Sequence, residues 1–235
     1  MTLGGTRTAR GAGRALSPLP ERPLPVWLPR AVSAARPRYV AAPPYEQPGA
    51  NIAFSLLLGL FALGEYAMRV RSRLNRSGTR AERWSLVIVI IAVVGGLLGG
   101  LGLAGWHATT ITVGQWPFFI VGLALMASGI YIRQWAIFTL GRFFTADVRV
   151  HSQQTVVDRG PYRWVRHPSY SGLIIFFLGL GLALTNWMSL LVLVAVPTAG
   201  LVIRIRSEEG ALLAGLGEPY RRYAAAHQRL FPGVW

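Results

Sequence analysis

The 235-residue chain contains no cysteine and no lysine, and only 9 of its residues are acidic. Without cysteine there are no disulfides, no thiolate nucleophiles and none of the usual cysteine ligands for zinc, so we expect no metal centre. Charged residues make up 14% of the chain and hydrophobic residues 52%. The hydrophobic residues come in long blocks, which is typical of a membrane protein.

All 24 basic residues are arginines, and they give the chain a net charge of +15. Such a charge suits nucleic acid, anionic lipid or the topology of a membrane protein. The arginines flank the apolar blocks, as the positive-inside rule describes, and no RNA-binding or helix-turn-helix signature accompanies them. We therefore expect a membrane lipid environment and no nucleic-acid partner. The use of arginine alone suggests a GC-rich bacterial genome, and hence a bacterial plasma membrane.

The N-terminal segment, residues 1–48, is rich in Arg, Pro, Gly and Ala and has no apolar run long enough to be buried. This composition predicts disorder. No apolar core follows its positive start at the distance typical of a signal peptide, so we expect no cleavage.

Five apolar segments predict an all-α integral membrane protein, since about 20 residues cross ~30 Å of hydrocarbon. Region 49–140 contains three of them, and region 141–235 contains the other two and a polar tail. The predicted spans are 51–70, 84–106, 116–140, 173–184 and 188–203. Only Thr185 and Asn186 clearly separate the last two, which predicts a tight helical hairpin. Pro168 suits the first turn of its first helix, and Pro197 predicts a kink in the second.

Polar and small residues inside these spans carry further predictions. Glu65 and Arg69 lie one helical turn apart, so they can pair near the interface. Arg133 and Gln134 should face the helix bundle or reach the basic side. The glycines of segment 95–102 predict close helix packing, because a nucleotide-binding glycine loop would need a preceding strand.

The distribution of arginine predicts the orientation. Linker 71–83, region 141–171 and the C-terminal tail are basic, whereas loops 107–115 and 185–187 carry no formal charge. Five spans then place the basic regions and the C-terminus in the cytoplasm and the N-terminus outside. The arginines of the N-terminal segment favour the opposite placement of the first span.

Two polar clusters flank the predicted hairpin. The first comprises Tyr162, Arg163, Trp164, Arg166, His167 and Tyr170, and the second comprises Arg204, Arg206, Glu208 and Glu209. A hairpin brings its two ends together, so the clusters should meet at the cytoplasmic face. Taken singly, the arginines could be interfacial anchors or ion-pair partners, and His167 a helix cap. Together, at one depth in the membrane, they favour a functional site.

These motifs carry a resemblance. The stretch Gly160-Pro-Tyr-Arg-Trp-Val-Arg-His-Pro-Ser-Tyr-Ser-Gly, followed by Arg204-x-Arg206-x-Glu208-Glu209, resembles the C-terminal half of isoprenylcysteine carboxyl methyltransferases and their bacterial relatives. The resemblance covers roughly residues 140–232. One departure is Leu216 before Gly217, where the family tends to have phenylalanine.

The resemblance implies an enzyme that uses S-adenosylmethionine as methyl donor and a lipophilic or lipidated acceptor. It implies that Arg204 binds the acceptor carboxylate and that Arg204 and Glu208 form the catalytic pair. The implied cofactor-binding residues are Gln154, Thr155, Val156, Val157, Tyr162, His167, Pro168, Ser169, Tyr170 and Glu208.

The chemistry of these residue types agrees with that function. Methyl transfer to an ionised carboxylate needs no general base, but it requires both substrates to be held at attack distance and angle. The planar fork of Arg204 can hold both carboxylate oxygens. Glu208 and the neighbouring aromatic rings suit a cationic donor. His167 would then be a hydrogen-bonding ligand, whereas an amine or thiol acceptor would need a base.

Several alternatives remain open at this point. The acceptor could be a phospholipid amine or a small thiol, or the chain could be a sterol-reductase-like enzyme that uses a nicotinamide cofactor. A small transporter or a structural membrane protein is the non-enzymatic alternative, although internal repeats and mid-membrane polar residues, which favour a transporter, are not found. The soluble methyltransferase fold is excluded because strands and helices do not alternate.

Overall fold

The computed structural model describes residues 42–74, 79–82, 84–141, 148–150, 155–233 and 235. Helices dominate these ranges, which confirms the predicted all-helical membrane class. The α-helices are α1 (Ala50–Leu74), α2 (Trp84–Leu103), α3 (Gln115–Leu140), α4 (Pro168–Ala183), α5 (Trp187–Leu216) and α6 (Glu218–Ala226). Short 3-10 turns lie at Pro44–Glu46, His107–Thr109 and Gly160–Arg163.

Two short strands are an addition to the predicted helical fold. Strand β1 (Thr79–Glu82) pairs antiparallel with β2 (Val148–Val150), and Thr79 lies opposite Val150. The strands belong to linker 71–83 and to region 141–171, so the pairing places these two basic regions at the same end of the bundle.

Within the described ranges, four helices are long and apolar enough to cross a membrane: α1, α2, α3 and α5. Helix α4 begins at Pro168, as predicted, and has 16 residues. At ~1.5 Å per residue it is about 24 Å long, shorter than the hydrocarbon core of a bilayer. The predicted total of five spans therefore stays a prediction. Large apolar side chains on the outer faces of α1 and α2 are exposed, as expected where a helix meets lipid.

Helices α3 and α4 pack at two pairs of facing glycines. A methyl group on Gly129 would lie 2.5 Å from the backbone nitrogen of Phe176, and one on Gly172 would lie 2.7 Å from that of Arg133. Gly122 and Gly179 meet in the same way about two turns away along each helix. Only glycine allows the two backbones to approach this closely. The buried core beside this contact contains Phe119, Met126, Phe176, Phe177 and Leu180.

Helices α2 and α5 make the second close contact. A methyl group on Gly96 would lie 2.8 Å from the ring of Pro197, and one on Gly100 would lie 2.3 Å from the side chain of Leu193. The predicted role in helix packing is therefore confirmed for Gly96 and Gly100, whereas a methyl group on Gly95 or Gly102 would meet nothing within 4 Å. Helix α5 continues through Pro197, which is buried, and the predicted kink there stays a prediction. The arms of the hairpin thus pack chiefly on different partners, α4 on α3 and α5 on α2.

The predicted hairpin turn is present between α4 and α5. Thr185 adopts a φ of 49°, in the left-handed region, and Asn186 caps α5 by accepting hydrogen bonds from the backbone of Met188 and Ser189. The Asn186 amide donates to the carbonyl of Trp106 at 3.1 Å. The two uncharged loops, 107–115 and 185–187, therefore lie together at one end.

Most of the segment that was predicted to be disordered, 1–48, lies outside the described residues. The part that is described contains the 3-10 turn Pro44–Glu46, in which Pro44 is buried. The ring of Tyr45 lies 5.9 Å from that of Phe54 on α1. The chain therefore packs against the bundle a few residues before the predicted boundary.

Candidate functional site

The first predicted cluster lies at the beginning of α4, and the second lies towards the end of α5. His167 occupies the N-cap position of α4, although its side chain makes no capping hydrogen bond. Helix α5 continues to Leu216, well beyond the predicted end of the last span at residue 203. Glu208 and Glu209 therefore lie on the same continuous helix as Arg204.

Tyr170 connects the two clusters. Its hydroxyl donates a hydrogen bond to Oε2 of Glu208 at 2.8 Å. Its ring stacks on the imidazole of His167, with a centroid distance of 5.6 Å and an angle of 12° between the planes. His167 on one arm and Glu208 on the other therefore belong to one contiguous group of side chains.

Glu209 gathers three basic side chains around one buried carboxylate. Its Oε1 lies 3.0 Å from an Nη1 of Arg166 and 3.2 Å from Nε2 of His167. Its Oε2 accepts a hydrogen bond from Nε of Arg229 at 2.9 Å. Charge-assisted contacts of this kind are shorter and stronger than neutral ones, so Glu209 fixes the segment before α4 against α5.

The C-terminal segment after α6 runs alongside the segment that precedes α4. The backbone N–H groups of Arg166 and His167 donate to the carbonyls of Gln228 and Arg229 at 2.8 and 2.9 Å. The hydroxyl of Ser171 donates to the carbonyl of Leu230. The tail therefore holds the Arg-His-Pro element in place from the side, a contact that the sequence analysis did not predict.

Arg204 is buried, with 3% of its surface exposed. Its Nη1 donates to the hydroxyl of Ser85 at 2.8 Å, and its positive charge acts on the neighbouring side chain of Tyr170. Ser85 is fully buried in the first turn of α2. Arg204 thus joins α2, α4 and α5 immediately beside the bond between Tyr170 and Glu208.

Tyr162 lies in the 3-10 turn before α4, and its side chain is buried. Burial raises the pKa of the Tyr162 hydroxyl, and the negative charge of Glu208 raises it further. The hydroxyl therefore stays protonated at neutral pH and can act as a hydrogen-bond donor. Tyr223 on α6 donates to the carbonyl of Tyr162 at 2.6 Å and fixes this turn.

An open cavity of about 460 Å³ lies beside this turn. Its volume is within the range of small-molecule sites. The backbone N–H of Tyr162 donates to the carbonyl of Arg159, one of the lining residues, at 3.2 Å. The lining residues are Leu140, Gly141, Thr155, Val156, Val157, Asp158 and Arg159.

The structure places the predicted site residues in three different settings. His167, Tyr170, Arg204 and Glu208 form one connected group, and Thr155, Val156 and Val157 line the cavity. Pro168 and Ser169 are buried at the start of α4, and the Ser169 hydroxyl accepts a hydrogen bond from Arg133. Gln154 lies outside the described residues. The roles of all these residues stay predictions.

The predicted pairing of Glu65 with Arg69 is wrong. Glu65 on α1 accepts hydrogen bonds from Nε and Nη2 of Arg133 on α3 instead. Arg133 is only 5% exposed, which confirms that it faces the bundle. Helical spacing suggested the nearer partner, but Arg69 is exposed, whereas a buried guanidinium requires a carboxylate.

Other residues of the site were missed or have simpler roles. Ser85 and Arg229 were not predicted, because a lone serine at a span end and an arginine in a basic tail carry no distinctive pattern. The guanidinium of Arg163 lies over the exposed ring of Trp164, 4.4 Å from its centroid. This contact agrees with the simpler interpretation of Arg163 as an interfacial anchor.

Several buried polar atoms near the two glutamates have no hydrogen-bond partner within the described part of the protein. Among the described residues, those without a hydrogen-bond partner include Arg166 Nε, Ser207 Oγ and Tyr220 Oη. Burial raises the pKa of Tyr220, and the charges of Glu209 and Glu208 raise it further, which places its hydroxyl in their field. Such atoms are costly when unsatisfied. Within the described residues, no group of three or more His, Asp or Glu side chains is arranged to hold a metal ion.

The fold is that of an integral membrane protein with a known structural counterpart. The chain is similar to the solved structure of the eukaryotic intramembrane Ras methyltransferase ICMT (isoprenylcysteine carboxyl methyltransferase), determined without a monobody. The TM-score is 0.60 at 23% sequence identity, and the match covers 83% of this chain and 70% of that one. At this level of identity the likeness establishes the fold alone.

The sequence comparisons confirm the resemblance seen in the motifs. Residues 121–214 match the model of the isoprenylcysteine carboxyl methyltransferase (ICMT) family. The probable protein-S-isoprenylcysteine O-methyltransferase of Oryza sativa subsp. indica is 36% identical over 111 residues, which are 46% of this chain and 58% of that protein. Protein-S-isoprenylcysteine O-methyltransferase B of Arabidopsis thaliana is 34% identical over 122 residues, 51% and 60% respectively. The chain therefore matches less than two thirds of the length of these curated relatives.

Proposed function

We propose that this protein is an S-adenosylmethionine-dependent integral membrane methyltransferase that methylates the carboxylate of an isoprenylcysteine-like or other lipophilic acceptor. The observation that carries the proposal is the group formed by His167, Tyr170, Arg204 and Glu208, which joins the two motifs shared with the methyltransferase family at one end of the bundle. Lipidated acceptors are the substrates that the names of the relatives indicate.

The residues present suit the proposed methyl donor. The donor supplies an electrophilic methyl group on a cationic sulfur, and it also carries a carboxylate and several hydroxyl and nitrogen groups. Glu208 and the stacked rings of His167 and Tyr170 favour a cation. The unsatisfied Arg166 Nε suits an anionic oxygen, and the hydroxyls of Ser207 and Tyr220 suit polar atoms.

Arg204 is the proposed ligand of the acceptor carboxylate. The hydroxyl of Ser85 accepts a hydrogen bond from its guanidinium, which favours one orientation of Arg204 before an acceptor arrives. Pre-set orientation matters because displacement at a methyl group requires attack along one line. A carboxylate acceptor is already ionised at neutral pH, so it has no proton to lose and the proposed reaction needs no general base.

The apolar surroundings suit a lipophilic acceptor. The site lies where α4 and α5 leave the apolar part of the bundle, and a lipid chain could reach it from the side while a polar donor enters from water. The arginine distribution predicts that this end faces the cytoplasm, and the use of arginine alone suggests that the membrane is a bacterial plasma membrane.

A methyl-transfer assay on the purified full chain in lipid nanodiscs tests the proposal. The acceptors are an S-farnesyl cysteine with a free carboxylate and its carboxamide counterpart, together with a phospholipid amine and a small thiol, each with methyl-labelled donor. We expect label only on the carboxylate, and we expect base to release it as methanol because the product is an ester. Label on the amine or thiol would refute the carboxylate acceptor, and absence of both donor binding and transfer would refute the methyltransferase.

Two substitutions distinguish the part of the site that binds the acceptor from the part that binds the methyl donor. Arg204→Gln should raise the KM for the carboxylate acceptor at least 10-fold while the donor Kd changes little, because one charged hydrogen-bonded contact corresponds to about 1.5–3 kcal/mol. Glu208→Gln should weaken donor binding instead. Arg69→Gln and Glu218→Gln change exposed residues and serve as matched controls.

A further inference from the structure

Arg133 forms a polar link between three helices, directly behind the first turn of α4. Its Nη2 lies 3.0 Å from Oε2 of Glu65 on α1, and its Nε donates to the other oxygen of the same carboxylate. On its far side, Nη1 donates to the hydroxyl of Ser169 at 2.9 Å and to the Ser169 carbonyl at 3.2 Å. One guanidinium therefore uses its fork on α1 and its remaining nitrogen on α4.

The position of Ser169 connects Arg133 to the contacts between α4 and α5. Ser169 lies between His167, which contacts Glu209, and Tyr170, which donates to Glu208. A shift or rotation of the first turn of α4 would therefore change both contacts with α5. Gly172, one turn further along α4, lets the α3 backbone at Arg133 come against α4.

Stability by itself is a weak reason for such a pair. Burying an ion pair costs desolvation, and well-packed apolar residues in its place often leave a fold equally stable or more stable. Charged groups within a membrane span are expensive and are usually tied to function. The hydrogen bonds to Ser169 also favour a functional role of the ion pair, because an apolar pair could hold α1 against α3 but could not orient the start of α4.

We propose that Arg133, itself oriented by Glu65, is a positioning residue that sets the first turn of α4 so that Tyr170 and His167 meet the glutamates of α5. The proposal rests on the proposed function, since the purpose of the alignment is to assemble the methyl-donor half of that site. It assigns α1, which contributes none of the predicted site residues, a role in the geometry of that site.

The decisive variant replaces the ion pair by an apolar pair, Glu65→Met together with Arg133→Met, in the full-length protein in nanodiscs. We expect a melting temperature close to that of the wild type, because the two methionines can pack against each other. We expect donor Kd to rise about 10-fold and kcat to fall by a similar factor, because a misplaced first turn weakens the donor site. Unchanged donor Kd and kcat in a folded variant would overturn the proposal.

A smaller change keeps the proposal falsifiable if the double variant fails to fold. Ser169→Ala removes only the hydroxyl that Arg133 contacts and leaves the carbonyl bond. We expect a donor Kd about 3-fold higher and an unchanged melting temperature. Ser128→Ala is the matched control, because the Ser128 hydroxyl is exposed and bonds within its own helix. Equal donor Kd in the two variants would contradict the positioning role.

A stability measurement separates this inference from the proposed function. A double-mutant cycle measures the coupling free energy between Tyr170→Phe and Glu208→Gln from the free energies of unfolding of the variants. The cycle is run once with Glu65 and Arg133 present and once with the methionine pair. We expect coupling in the first background and its loss in the second. Equal coupling in both would refute the inference even if the enzyme is a methyltransferase. If the wild type transfers no methyl group, the proposed function fails, and the cycle still decides whether Arg133 aligns α4.

Discussion

The hydroxyl of Tyr170 donates a hydrogen bond to the carboxylate of Glu208 at 2.8 Å, and this contact joins the beginning of α4 to the extension of α5. The two residues are 38 positions apart in the chain and lie on the two arms of one hairpin. Because α4 packs chiefly on α3 and α5 on α2, the contact also couples the two halves of the bundle at the proposed site.

Tyr170→Phe keeps the ring that stacks on His167 and removes the hydroxyl. We expect the donor Kd to rise about 10-fold, because a hydrogen bond to a charged group contributes about 1.5–3 kcal/mol. Isothermal titration calorimetry with the methyl donor measures this. Tyr131→Phe, at an exposed position of α3, is the control, and an equal Kd for the two variants would contradict a role of the Tyr170 hydroxyl.

Gly129→Ala tests the close contact of α3 and α4. A methyl group at this position would lie 2.5 Å from the backbone nitrogen of Phe176, so the helices must separate. We expect a loss of about 1–3 kcal/mol of stability, as is typical when a packed interior is overfilled. Gly95→Ala on α2 meets nothing within 4 Å and should leave thermal unfolding in detergent unchanged or raise its midpoint. Equal midpoints for the two variants would be incompatible with the glycine contact.

Alkaline pH should destabilise the contact of α6 with the turn before α4. Burial raises the pKa of Tyr223 above its ordinary value of 10.0, and the charge of Asp158 raises it further. The folded protein then keeps a proton that the unfolded chain loses, so the stabilisation is complete below pH 10 and is lost as the pH rises above it. Melting temperatures measured from pH 8 to 11.5 should fall less steeply in Tyr223→Phe. Parallel curves would contradict this linkage.

Single cysteines report the orientation, because the chain has none of its own. Val113→Cys lies in an exposed position of the uncharged end, and Ala225→Cys in an exposed position of α6. If the arginine-rich end faces the cytoplasm, a membrane-impermeant maleimide added to intact cells should label the first variant and not the second. The reverse pattern would show that the predicted orientation is inverted.

Hydropathy and local motifs determined much of this protein without any structure. The length of the apolar blocks defines the membrane helices, because each must cover the hydrocarbon core. Pro168 marks the start of α4, and Asn186 lies in the hairpin turn where it caps α5. The Arg-His-Pro-x-Tyr element and the paired glutamates carry the resemblance to the isoprenylcysteine carboxyl methyltransferase family, because these residues are clustered in sequence.

Partner choice was decided only by tertiary structure. Glu65 pairs with Arg133, 68 positions away, rather than with Arg69 one turn along, and Arg204 bonds Ser85 across 119 positions. Glu209, rather than Glu208, contacts His167. A sequence shows which charges are costly to bury, but the partner that offsets this cost depends on how closely the helices approach. In this bundle Gly96 and Gly100 of α2 allow the close approach of α5, the helix whose Arg204 bonds Ser85, and helical periodicity alone does not indicate which helices meet.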